Sequence, residues 1–248
     1  MNTLIQRLRL RGPLAAVAIA LAGLATTGAS AQSLAVLPVT IQMEPGQMAT
    51  LLTVINQGPV ETAVQIRAFS WHQDDGSDQL VTSDEIMVSP PLATIQPGGT
   101  QIVRLVLRNQ VVGREGTYRV LLDQIPPPAE PGVVRVALRM SLPVFAEPAT
   151  RVAPDLSFHI EHENDQAYLV AVNNGGRHEV IRDVTLEAKN GANLTIDSTV
   201  SPYVLAGAKR RWPIGRAEGA APITGAYNLT ATTNTKPLKR SVAVVQRP

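Results

Sequence analysis

The sequence contains no cysteine, which removes thiol nucleophiles, disulfide frameworks and Cys-ligated zinc or iron–sulfur sites together. Aromatic residues are scarce as well: three Phe, two Trp and four Tyr in 248 residues. That is too few for a base-stacking nucleic-acid surface, so no nucleic-acid partner is expected. Beyond residue 31 no stretch reaches the ~18 apolar residues of a spanning helix, and a helical period is hard to place anywhere. A Gly-x-Ser-x-Gly elbow, a phosphate-binding loop and a dinucleotide fingerprint are also missing. Without a nucleophile and an oriented base, the chain is read as no enzyme and as needing no cofactor.

What is present starts with a leader. Arg7, Arg9 and Arg11 precede a largely apolar run from Pro13 to Ala25, and Ala29-Ser30-Ala31 closes it with a small-x-small pattern. This is the form of a secretory signal peptide, 1–31. Its removal takes three arginines and no acid, so the formal charge of +2 becomes −1. The basic pI of about 9.1 is then weak evidence for a polyanionic partner. The mature chain is expected to be exported, with no membrane span after cleavage.

Four histidines remain as ligand candidates: His72, His159, His162 and His178. His159-Ile-Glu-His162 has metal-like spacing, but on a strand positions three apart point to opposite faces. No metal site is expected. Asp74-Asp75-Gly-Ser-Asp78 superficially resembles a calcium loop, yet Glu85 sits wrongly for one, and a solvated hairpin loop is the expectation.

The hydrophobic pattern after residue 32 has period two. Strand candidates run over 49–56, 62–71, 86–88, 101–108, 117–123 and 133–145, divided by turn signals such as Asn56-Gln-Gly-Pro59 and Gln96-Pro-Gly-Gly99. A second set covers 156–161, 167–173, 180–188, 203–205, 209–214, 226–232 and 241–245. Short strands at this spacing predict an all-β chain of two immunoglobulin-like β-sandwich domains. The domains are placed at 32–148 and 149–248, joined by the short Pro-containing segment 146–150.

The strand from Val134 stands out. Val134, Val136, Leu138, Met140 and Leu142 make one face apolar at every second residue, and Arg135, Ala137, Arg139 and Ser141 make the other mixed. Such a strand either covers a sandwich core or, at a sheet edge, offers its backbone as a template to another chain.

Three stretches in order carry a resemblance: Gln96-Pro-Gly-Gly-Thr-Gln-Ile-Val-Arg-Leu105, Tyr118-Arg-Val-Leu-Leu-Asp-Gln-Ile-Pro-Pro127 and Val134-Arg-Val-Ala-Leu-Arg-Met-Ser-Leu-Pro-Val-Phe145. Together they resemble the periplasmic pilus-assembly chaperones, the PapD-like family, and Val204-Leu-Ala-Gly-Ala-Lys-Arg-Arg-Trp-Pro213 is similar to the matching part of their second domain. The ending Ser141-Leu-Pro-Val-Phe145 is most similar to the branch serving spore-coat-type and archaic pili. The resemblance implies two domains at an angle, a boomerang, working in the periplasm. It implies donation of Val134, Val136, Leu138, Met140 and Leu142 to a pilus subunit that lacks a strand, then delivery to an outer-membrane usher. Self-association covering the donor strand is a further implied state.

The departures are equally specific. Relatives of this kind hold the subunit's terminal carboxylate with an Arg and a Lys, and Thr40 and Pro143 occupy those positions here. Arg104, Arg119 and Arg108 are the candidates for a relocated anchor, with outward strand charges as the plain alternative. Glu147-Pro148 replaces an Arg-Pro pair, so the interdomain ion pairs of those relatives are not assumed. The rival class is an exported two-domain Ig-like adhesion or structural module.

Overall fold

Runs of β-branched and aliphatic residues punctuated by Gly and Pro form strands, because the branched side chains pack on a pleated surface and the punctuation supplies the turns. A computed structural model describes residues 34–128, 132, 134, 136–164, 166–189, 191–215 and 223–245. The expected leader 1–31 and Arg135 lie outside the described residues. Every regular element among those described is a strand.

The first ten are β1 (Leu34–Leu37), β2 (Ile41–Met43), β3 (Ala49–Asn56), β4 (Thr62–Asp74), β5 (Ser77–Thr82), β6 (Ile86–Ser89), β7 (Leu92–Ile95), β8 (Thr100–Leu107), β9 (Gly116–Ile125) and β10 (Arg139–Ala146). One sheet runs β1-β3-β8-β6 and the other β2-β10-β9-β4-β5, with β7 beside β4. Alternation sends Leu52, Val54, Val103 and Leu105 inward from the first sheet to meet Ile66, Val120, Leu122 and Val144 from the second. Each such burial is worth about 1.5–3 kcal/mol before chain entropy is counted. The result is the first of two β-sandwiches.

The second is built from β11 (Leu156–Glu163), β12 (Gln166–Asn173), β13 (Glu179–Ala188), β14 (Asn193–Ile196), β15 (Tyr203–Val204), β16 (Lys209–Gly215), β17 (Ala226–Thr233) and β18 (Pro237–Val245). Its pairing runs β14-β16-β12-β11-β18-β17-β13-β15, and β14 also pairs with β13. Its core gathers around Leu169, Leu186, Trp212, Ile214 and Leu229. The short pieces β1, β2, β5, β7 and β14 are not expected from the sequence, since three to six residues carry too little alternation to read.

One device recurs. Asn56, buried at the end of β3, donates to Val60 O at 2.7 Å and Ile95 O at 3.0 Å while its Oδ1 accepts from Gly58 N at 3.0 Å. Asn173, buried at the end of β12, does the same toward Arg177 O, Val204 O and Gly175 N. In each domain a buried amide replaces the ladder bonds that the turning chain has lost.

The two sandwiches meet through Trp71 of β4, Phe145 of β10 and Leu205, all buried, with Tyr203 against them. Phe145 stacks on His178 with centroids 3.6 Å apart, and His178 Nδ1 lies 2.7 Å from Glu115 Oε2. Glu147 pairs with Arg177 at 2.9 Å, so ion pairs do bridge the domains, with an acid on the linker side. The acidic turn between β4 and β5 is a correction to the sequence reading. It is a hairpin, but its carboxylates are not merely solvated. Asp75 lies 2.6 Å from Lys209 Nζ, and Asp78 accepts from Trp71 Nε1 at 2.8 Å and pairs with the buried Arg210. Gly76, at φ +82°, lets the turn close against Arg211, whose Cγ would lie 2.7 Å from any Cβ added there.

Trp71 is therefore the residue whose truncation should loosen the joint most. Trp71→Ala is expected to cost about 3–5 kcal/mol, measured by denaturant unfolding followed by far-UV circular dichroism. An unchanged midpoint would mean that the joint does not depend on this ring.

Candidate functional site

The long alternating strand is divided by its surroundings. From Arg139 to Ala146, β10 pairs antiparallel with β9, Arg139 opposite Asp123 and Ala146 opposite Gly116. On its other edge β2 pairs in parallel with Val144–Ala146 alone. Residues 139–143 therefore carry a free edge among the described residues. The expected strand start near residue 133 is not observed: 134 and 136–138 lie outside any strand. The reason is local. Ile125 is followed by Pro126-Pro127-Pro128, which have no N–H to donate, so β9 ends and the chain opposite it loses its ladder. The last links are Gln124 N to Leu138 O at 2.9 Å and Leu138 N to Gln124 Oε1 at 3.3 Å.

The apolar row keeps one direction through this change. Val144 and Leu142 point into the first core, Met140 packs at its margin, and Leu138, Val136 and Val134 emerge into solvent. Exposure rises from 6% at Leu142 to 40% at Leu138, 85% at Val136 and 91% at Val134. Leu142 belongs to its own sandwich, and its inclusion in the donor set is corrected on that ground: a side chain filling one core has no surface left to offer another. Among the described residues nothing covers this alternate apolar surface, and an exposed apolar row of this kind marks an interaction site.

Charges hold the point where the row departs. Asp123 Oδ2 lies 2.7 Å from Arg67 Nη2, and its Oδ1 pairs with Arg139. The hydrogen bond from Arg139, with that from Arg67, keeps the Asp123 carboxyl below the usual aspartate range.

The three candidate anchor cations separate. Arg119 lies on β9 directly opposite Pro143, with its guanidinium 3.7 Å over the Trp71 ring and 5.4 Å from the Tyr203 ring. Burial lowers its pKa, and the Asp78 charge opposes that shift. Thr40, exposed, precedes Ile41, whose partner is Val144, so Thr40, Pro143 and Arg119 share one region. Arg104 and Arg108 do not. Arg104 lies on β8 in the opposite sheet and points outward, and Arg108, just beyond β8, pairs with Asp84 at 2.6 Å. As anchor candidates these two therefore stand on the far sheet from β10: alternation assigns a face, not a sheet.

The remaining polar candidates find other partners. His159 Nε2 lies 3.6 Å from Glu161 Oε2, while His162 Nε2 lies 2.9 Å from Ile223 O. No group of three His, Asp or Glu side chains is placed to hold a metal among the described residues. No helix among them is long and apolar enough to cross a membrane. Sequence reasoning missed Asp123 and Gln124, which no motif marks; the signal available was their position just before the triple proline.

Residues 33–151 match the family model described as pili and flagellar-assembly chaperone, PapD N-terminal domain. Among solved structures, the chain resembles one in the pre-assembly complex of the CsuC chaperone with the CsuE tip adhesion subunit from archaic Csu pili of Acinetobacter baumannii. Identity is 21%, covering 86% of this chain and 99% of that one, with a TM-score of 0.66. The YadV chaperone is similar at 14% identity over 84% and 98% of the two chains, TM-score 0.61. A chain of the Salmonella enterica SafA pilin–SafB chaperone complex is similar at 18% identity over 85% and 96%, TM-score 0.59. A comparison with curated proteins finds no match.

The Asp123 triad has a testable pH signature. Its native pKa is depressed, so its contribution is complete above the ordinary aspartate value of ~3.9 and is lost as pH falls through the lowered native value. Asp123→Asn should melt below the parent near neutrality, with the two melting temperatures converging in acid. A gap that stays constant into strong acid would remove the triad from this role.

Proposed function

We propose that this chain is a pilus-assembly chaperone, supported by the match of residues 33–151 to the PapD N-terminal domain model, and that it binds pilus subunits by lending them the β10 edge and the row leading into it. The observation that carries this reading is the solvent-facing set Val134, Val136 and Leu138, continuous with a strand whose outer edge is free. A subunit missing one strand of its sandwich has an open apolar groove and an unpaired backbone. The chaperone fills both. Backbone amides of Arg139 and Ser141 and carbonyls of Arg139, Ser141 and Pro143 pair with the subunit's edge, since the alternate residues face β9. Leu138, Val136 and Val134 enter the groove, with Met140 at the boundary. Each buried aliphatic contributes about 1.5–3 kcal/mol, offset by the ordering of 134–138, at roughly 1–2 kcal/mol per residue for the backbone. The Asp123 triad and the Gln124–Leu138 bonds reduce that cost by fixing where the lent segment begins.

The subunit's terminal carboxylate meets Arg119. Thr40 and Pro143 supply no cation, whereas Arg119 stands opposite Pro143 with its plane set by the Trp71 ring, leaving its fork to grip a carboxylate. Arg104, on the other sheet, takes no part. The work is done in the periplasm without cofactor or covalent step, and the complex passes to an outer-membrane usher, where another strand replaces the lent one. Pilus chaperones are not enzymes, and nothing here requires catalysis.

Leu138→Asp places an unpaired carboxylate in the subunit groove, a cost of several kcal/mol. The variant should fold normally yet no longer copurify from periplasm with a co-expressed pilus subunit that the parent retains. Undiminished copurification would rule out strand lending.

Arg119→Lys keeps the charge and removes the fork. We expect weaker subunit binding at nearly unchanged thermal stability, while Arg104→Ala and Arg108→Ala leave binding close to the parent. Equal binding by all three variants would mean that Arg119 holds no carboxylate.

A further inference from the structure

An antiparallel sheet with one face on a core carries polar residues on the other face where that face meets water. The outer face of β1-β3-β8-β6 does not follow this rule. Ile102, Arg104 and Val106 alternate outward along β8; Leu51 lies across from Arg104 and Met87 across from Val106, with Leu37 on β1. Leu37, Leu51, Met87 and Ile102 are each 47–56% exposed. The remaining outward positions on these strands are Ala, Ile, Ser or Thr, so Arg104 is the charged residue of the whole face. Its side chain has no ion pair or hydrogen bond among the described residues. Its neighbours in charge behave otherwise, since Arg108 pairs with Asp84 and both Arg67 and Arg139 pair with Asp123.

We infer that this face docks a second protein, through an apolar surface bearing a carboxylate that meets Arg104. Covering the apolar field desolvates the guanidinium, and a desolvated cation needs an opposite charge that the face itself lacks. The partner must bring the acid. A second copy packing on its own twin face would bring two Arg104 cations together with no acid between them. Anionic lipid surfaces are met by clusters of Lys and Arg, and one cation is not a cluster. Four strands about 4.8 Å apart give a footprint of roughly 400 Å², half of what each partner contributes to a standard stable interface. The contact is therefore transient. It lies across the core from β10, so a subunit on the β10 edge and a protein on this face fit together. The inference does not rest on strand lending, and its test uses the free chaperone.

The probes are two amphipathic helical peptides with one leucine stripe, carrying Glu at its centre in one and Lys in the other. Titration into the purified protein, followed by backbone amide shifts, should show the Glu peptide bound about tenfold more tightly, the effect of one charge-assisted contact. Shifts should centre on Leu51, Ile102, Arg104 and Val106. Arg104→Ala should abolish the preference, and Ile102→Ser should weaken both peptides while leaving far-UV circular dichroism unchanged. Equal affinities, no shifts on this face, or shifts confined to the Val134–Leu138 row would overturn the inference. So would dimerisation in sedimentation that Ile102→Asp abolishes, which assigns the face to a second copy. Flotation with phosphatidylglycerol vesicles that is lost in Arg104→Ala would assign it to a membrane.

Discussion

A backbone amide that leaves water must find a partner, and β10 meets that demand from β9 along its whole length but from β2 only at Val144–Ala146. Two features follow from this imbalance. The unpaired stretch 139–143 is a ready template for another strand, and the side chains continuing its inward row have no core to enter once β9 has ended. Natural sheets usually blunt such an edge with charge, proline or a bulge. Here Pro143 withholds one donor, while Arg139 is drawn sideways to Asp123 and does not guard the edge. The edge is left open and its entry point is fixed.

That arrangement needs a rigid base, and the joint between the sandwiches supplies one. Phe145 lies on the same strand as the exposed row and stacks on His178 of the second domain. Arg119, across from Pro143, lies on the Trp71 ring, whose indole N–H is held by Asp78, itself paired with Arg210. The free edge of β10, the joint and Arg119 are thus linked through one patch of aromatic packing. Buried ion pairs contribute modest net stability, but removing one partner leaves an uncompensated charge. The joint consequently favours one geometry strongly over its alternatives.

The sequence makes much of this legible. Period-two alternation and regular turn signals identify the longer strands of both sandwiches, and the row from Val134 to Leu142 is visible as a pattern. What the pattern leaves open is where the row crosses from core to solvent. Leu142 and Leu138 are chemically identical, and only the end of β9 at the triple proline separates their fates. Arg104 and Arg119 likewise alternate in similar strands, and pairing between distant segments assigns them to different sheets. The acidic hairpin reads as solvated because its counter-charges, Lys209 and Arg210, stand more than 130 residues away in the chain. Local spacing reports local geometry, and these are long-range facts.

The uninterrupted row also restricts how this segment can change in length over evolution. Side chains in an extended chain alternate faces, so gaining or losing one residue reverses everything beyond it. An insertion of a single residue between Leu138 and Leu142 would swing Val134, Val136 and Leu138 to the side now held by Ala137 and Arg139, while Leu142 and Val144 stayed in place. Two residues would restore the phase and only lengthen the reach. Lineages of this protein are thus free to vary the segment in even steps and barred from odd ones, a parity rule that comparison of orthologous genes can read directly.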